Sequence, residues 1–173
     1  MKNIYLIGFM GCGKTSSGKK LSKLLNLPFL DTDQMIVEAA GKKIPDIFRE
    51  DGEAAFRAME TEVFRGLAIE SSQAAVISCG GGAALREENV TYMKQGGIVV
   101  MLAATPATIY QRVKDHTNRP LLENRMSEEG IRELMEERLP FYDRAADFKI
   151  RTDGLKCSQV AKNIAKAIEK EEL

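Results

Sequence analysis

Eight residues near the start of the chain, Gly8-Phe9-Met10-Gly11-Cys12-Gly13-Lys14-Thr15, restrict its fold more than any other feature. They match the spacing G-x-x-x-x-G-K-S/T. They follow a short apolar run at 4–7 that reads as a buried strand. They precede residues 14–25, where Leu21, Leu24 and Leu25 recur at helical spacing. A strand, a glycine turn and a helix in that order are the context this motif requires. The glycines let the backbone turn with its N–H groups aimed inward at a phosphate, and the start of the helix adds a positive dipole end. In such a P-loop Lys14 reaches the outer phosphates of a nucleotide and the Thr15 hydroxyl ligates Mg²⁺.

The rest of the chain alternates the same two signals. Short strand runs are read at 28–30, at 75–78 (halted by Gly80-Gly81-Gly82), at 98–102 and, as an edge strand, at 148–151. Residues 34–71 read as helical with breaks at Gly41, Pro45 and Gly52, and 159–170 as a closing amphipathic helix. Short apolar strands separated by helices predict βαβ units and a parallel sheet covered on both faces. Residues 115–126 depart from the pattern, being mostly polar and holding Arg119-Pro120. An ordinary loop fits there, and so does an active-site lid.

Composition narrows the field further. A chain of 173 residues fits one domain. Its 25 basic and 25 acidic residues cancel, which argues against an electrostatic nucleic-acid binder. No run approaches the roughly 18 apolar residues of a membrane span, and the N-terminal apolar run enters a glycine loop instead of a cleavage site. Cys12, Cys79 and Cys157 have no C-x-x-C spacing and the chain has one histidine, so no zinc site is expected. They read as reduced thiols of a cytoplasmic protein.

Asp31-Thr32-Asp33 directly follows the second strand run. The carboxyl ends of parallel strands line the ligand crevice, and positions i and i+2 of an extended segment face the same way. Both carboxylates are therefore expected at the phosphate site. Phosphoryl transfer uses one acid to hold the metal's water shell and another to orient or deprotonate the attacking hydroxyl. Capping of the following helix is the plainer alternative for one of these aspartates. Arg57, Arg119 and Arg138 would hold an anion through paired hydrogen bonds if they met in one cleft. Their spacing alone does not separate them from surface arginines.

Taken together, the ordered segments 8–15, 30–33, 47–53, 56–60, 80–82, 119–122 and 138–142 resemble the shikimate kinase family, over about residues 3–170. The resemblance implies an α/β, three-layer P-loop NTPase-type fold like that of nucleoside monophosphate kinases. It has a central parallel five-stranded sheet, helices on both faces and a lid. It implies a single kinase domain over 1–173, with a substrate-binding helical region at about 32–61 and the lid at about 115–126. The implied reaction is Mg-dependent transfer of the γ-phosphate of ATP to the 3-hydroxyl of shikimate, on the route to chorismate and aromatic amino acids.

By the same resemblance, Asp33 is the base, and Lys14 and Arg119 complete the catalytic set. ATP is held by Gly11, Cys12, Gly13, Lys14, Thr15, Ser16, Arg112 and Arg119. The residue at 112 stacks on adenine, and Cys12 contributes its backbone N–H. Shikimate is held by Asp33, Arg57, Gly81, Gly82 and Arg138, and one Mg²⁺ per subunit by Thr15 and, through water, Asp31. The implied protein is a cytoplasmic monomer acting on ATP and shikimate, without nucleic-acid or membrane partners. The chain departs from the family at Cys12, where serine or alanine is usual, and at 153–157, which lacks a proline often found in the adenine-side loop. Gluconate kinase is the nearest competitor. The Asn-Lys-x-Asp of GTPases and the Asp-Gly-Phe-Pro-Arg of nucleoside monophosphate kinases are absent.

Overall fold

The computed structural model describes residues 2–69, 73–114 and 126–171. Its centre is β1 (Asn3–Ile7), whose five residues are all buried. Asn3 is buried with its side chain donating to the Leu67 carbonyl and accepting from the Ala75 N–H, and the run that follows does not alternate polar with apolar, as in a strand hidden on both sides. β1 is flanked by β3 (Val76–Ser78) and β4 (Gly97–Ala103), with β2 (Phe29–Asp31) and β5 (Phe148–Arg151) at the edges. All pairings are parallel, in the order β2-β3-β1-β4-β5, with Tyr5 opposite both Ile77 and Val99. This is the five-stranded parallel sheet expected from the strand runs. The carboxyl ends of β1, β2 and β3 lie side by side.

α1 (Lys14–Leu25) runs back along the sheet beside α8 (Cys157–Glu171). A side chain at Gly18 would meet the Phe29 ring at 2.8 Å and Leu6 Cδ1 at 3.0 Å, so glycine there lets α1 settle against β1 and β2. That close approach fixes where the glycine loop ahead of α1 can sit.

The stretch at 34–71 divides into α2 (Thr32–Ala40), α3 (Ile44–Glu50) and α4 (Gly52–Ile69). Gly41 caps α2 in the left-handed conformation at φ 64° and Gly52 opens α4 at φ 86°. Pro45 is not a break. It sits in the first turn of α3, where a missing N–H costs nothing. Ile36, Ile47 and Phe56 form a small core of their own that ties the three helices together.

α5 (Glu87–Gly96), α6 (Pro106–Val113) and α7 (Glu128–Ala145) complete the fold. The closing helix begins at Cys157, two residues ahead of the sequence expectation. The predicted lid falls almost wholly outside the described residues. Among the described residues no helix is long and apolar enough to cross a membrane.

Candidate active site

The loop between β1 and α1 turns on three glycines with positive φ: Gly8, Gly11 and Gly13. At Gly8 the need is steric as well as conformational, since a Cβ there would stand 2.4 Å from the Leu102 carbonyl oxygen. The Lys14 ammonium folds over the loop and donates to the carbonyls of Gly8 at 2.7 Å and Phe9 at 3.1 Å. A cleft of about 450 Å³ opens in front of it. Gly11, Gly13, Lys14, Thr15 and Ser16 line this cleft from the loop side. Cys12 does not. Its side chain is buried, and its N–H, expected at the phosphate, closes a turn by donating to the Phe9 carbonyl at 3.2 Å.

Asp31 and Asp33 line the same cleft. The extended-segment argument reaches these residues through the wrong local geometry, because β2 stops at Asp31 and the helix starts at Thr32. Asp31 is both cap and cleft residue. Its Oδ1 accepts from the N–H groups of Asp33 and Gln34, while Oδ2 lies 3.5 Å from the Thr15 hydroxyl. Ser78, at the end of β3, brings its hydroxyl to 3.3 Å from that of Thr15. Thr32 turns inward and accepts from the Gly80 N–H at 3.0 Å, which ties the start of α2 to the glycine run.

Burial pushes the Asp33 carboxyl above the usual carboxylate range. The negative charge of Asp31 adds to the shift, and Lys14 and Arg57 partly offset it. Gly80 gives this carboxylate its space, since a Cβ there would come within 2.8 Å of Asp33 Oδ1. Next to it, Arg57 pairs with the buried Glu60 at 3.1 Å and with Glu53 at 3.5 Å, and its guanidinium fills the space that a side chain at Gly82 would need. Asn89 supports Glu60 at 3.4 Å and is itself held by the Ala83 carbonyl at 3.0 Å. Burial raises the Glu60 carboxyl too, against the pull of Arg57.

Arg138 arrives from α7. Its guanidinium lies over the Phe9 ring at 5.8 Å, and its Nη1 is buried without a hydrogen-bond partner among the described residues. A buried guanidinium nitrogen left unsatisfied is costly, so such an atom marks a place for an anion. Gly80 and Gly81 form the cleft wall in between.

On the far side of the loop Arg112 donates to the Gly11 carbonyl and to the hydroxyl and carbonyl of Thr152, each at 3.1 Å, and borders the cleft together with Cys157. Cys79 is fully buried and burial drives its thiol pKa upward, so it is a small core residue. Arg119 lies outside the described residues.

Sequence reasoning missed Ser78, Glu60, Asn89 and Tyr142. The rule that strand carboxyl ends face the ligand would have found Ser78. The position of Tyr142 one turn after Arg138 was a weaker hint. Nothing local distinguishes Asn89.

A P-loop at the end of the central strand, with two carboxylates on the neighbouring chain segment and an anion-ready arginine opposite, defines a P-loop phosphotransferase. A family model described as shikimate kinase matches residues 10–169. The chain belongs to the shikimate kinase family. It is 45% identical over 170 residues to the shikimate kinase of Thermodesulfovibrio yellowstonii, covering 98% of this chain and 96% of that one. A solved shikimate kinase from Acinetobacter baumannii, in complex with shikimate, superposes with a TM-score of 0.90 at 38% identity, covering 100% of this chain and 96% of the other. The enzyme from Aquifex aeolicus does so with a TM-score of 0.84 at 38% identity, covering 99% and 98%.

Proposed function

We propose that this protein is a shikimate kinase, transferring the γ-phosphate of ATP to the 3-hydroxyl of shikimate to give shikimate 3-phosphate and ADP. The observation that carries the assignment is the juxtaposition of Asp33 with the phosphate loop. A buried carboxylate of raised pKa faces the same cleft as Lys14 and Thr15.

The glycine loop and Lys14 cradle the triphosphate, for which Lys14 exchanges its carbonyl partners in the loop for phosphate oxygens. Arg57 and Arg138 grip the acceptor's carboxylate, so the unpartnered Nη1 of Arg138 gains an acceptor. This grip holds the ring with its hydroxyl toward Asp33. Asp33 takes the hydroxyl proton as the oxygen bonds to the γ-phosphorus, and the bond from phosphorus to the bridging oxygen of ADP breaks. A carboxyl of raised pKa is a better base for this than an ordinary one. Arg112, beside the loop and Cys157, borders the base end of the nucleotide. The segment holding Arg119 keeps the role the family resemblance implies.

The donors near Thr15 suit Mg²⁺. A hydroxyl, a carboxylate and a second hydroxyl, from Thr15, Asp31 and Ser78, form an all-oxygen set at the mouth of the phosphate loop. Thr15 would hold the ion directly, with Asp31 acting through water. Bound there with the outer phosphates, Mg²⁺ offsets charge on the transferring group. We place the protein in the cytoplasm, acting as a monomer.

The test is ADP release on addition of shikimate, run beside gluconate and other hydroxy acids. Turnover with shikimate at least about tenfold above every other acid is expected, since the arginine pair and Asp33 must be satisfied together. Preference for gluconate or another acid would overturn the assignment.

A further inference from the structure

Gly80 and Gly81, the first two of three consecutive glycines, line the cleft, and such a run has no side chains to hold its own shape. Two distant residues restrain it. The Thr32 hydroxyl accepts from the Gly80 N–H at 3.0 Å, and the Tyr142 hydroxyl donates to the Gly81 carbonyl at 2.7 Å across 61 positions of sequence. Tyr142 is 2% exposed. It stands one helical turn beyond Arg138, so a single face of α7 presents both residues to the same place. Arg138 Nη1 lies 3.8 Å from where a Cβ on Gly81 would stand, and its guanidinium covers Phe9 of the phosphate loop. Burial pushes the Tyr142 phenol up to about 12, so it stays a proton-bearing donor throughout the working pH range and exchanges no proton in the reaction.

We infer that Tyr142 is a positioning residue for the acceptor acid. Its hydrogen bond to Gly81 sets the peptide wall against which the acceptor lies and holds α7 in the register that delivers Arg138 to the acceptor's carboxylate. A trans peptide carries its N–H opposite its C=O, so fixing the Gly81 carbonyl also sets the direction of the Gly82 N–H. The Gly80 and Gly82 carbonyls accept from the N–H groups of Ala83 and Leu85 at 3.0 and 3.1 Å, so without the phenol it is the Gly81 carbonyl between them that loses its donor, and α7 loses a polar tie to the wall. The nucleotide side keeps its own fixings through Lys14 and Arg112. The inference rests on the kinase reading above.

The test is Tyr142→Phe, which removes one oxygen and leaves the ring, assayed for the KM of each substrate, for kcat and for Tm. The expected result is a rise of about tenfold in the KM for shikimate, the scale of one hydrogen bond lost beside a charged group. The KM for ATP should stay within about twofold, because the residues proposed to hold it, at 11–16, 112 and 119, lie outside α7. Replacement of Tyr142 by 3-fluorotyrosine keeps the donor and should restore the wild-type KM. An unchanged KM for shikimate would overturn the inference. So would an equal rise in both KM values, or failure of the fluorinated residue to restore the constant. Wild-type enzyme that leaves shikimate untouched would instead overturn the kinase reading itself.

Discussion

At Asp33 the surroundings supply the chemistry that the residue alone does not have. Burial, then the charge of Asp31, raises its pKa above the ordinary 3.8, and Lys14 and Arg57 limit the rise. A carboxyl with a raised folded-state pKa contributes stability below its unfolded pKa and loses it as pH rises through the folded value. Wherever Asp33 is ionised it therefore costs stability. Asp33→Asn should cut kcat by about 10²–10⁴-fold, the usual share of a general base. The same variant should raise Tm at neutral pH, by about 2–4 °C per ~1 kcal/mol relieved. The gap between the two Tm values should close as pH falls and the wild-type carboxyl takes up its proton. Calorimetry at a series of pH values from neutral downward reads the gap. Asp153 behaves oppositely. Burial alone would raise it, but hydrogen bonds from Thr105 and Thr108 bring it down to about 2, so its contribution is present above 3.8 and lost as pH falls toward 2.

Among the elements, the glycine run after β3 shows how missing side chains make a site. A methyl at Gly80 would press on the Asp33 carboxylate at 2.8 Å, and one at Gly82 on the Arg57 guanidinium at 2.9 Å. Both neighbours are ends of side chains and can move, so the fold survives while the geometry does not. Gly80→Ala should lower kcat by at least about tenfold, since a misplaced base loses much of its effect. Gly82→Ala should raise the KM for shikimate by about tenfold, with kcat less affected. Steady-state kinetics on both variants separates the two effects, and a matching loss of ATP affinity would contradict this division of labour. The elements were largely legible in the sequence because apolar runs and glycine stops mark them directly. The start of α2 was not. Whether Asp31 capped the helix or faced the ligand looked like a choice, yet its two carboxylate oxygens allow both.

For the whole molecule, the parallel sheet and the P-loop followed from periodicity and one motif. The surroundings of Glu60 and Gly81 did not, because their contacts join residues far apart in sequence. Glu60 meets Asn89 across 29 positions and Tyr142 meets Gly81 across 61. The apolar neighbours of Arg57 hinted at its partial burial, but nothing in the spacing marked that of Arg138, and resemblance to a family singled out both as a pair. The proposed monomer should sediment near 19.2 kDa, and its activity should scale linearly with enzyme concentration. The central claim is that Asp33 serves the acceptor while the loop at 8–15 serves the nucleotide. Measuring ATP affinity and shikimate-dependent ADP release together in Asp33→Ala tests it most directly. Retained ATP affinity with turnover reduced at least about 100-fold is the predicted result, and turnover close to wild type would contradict it.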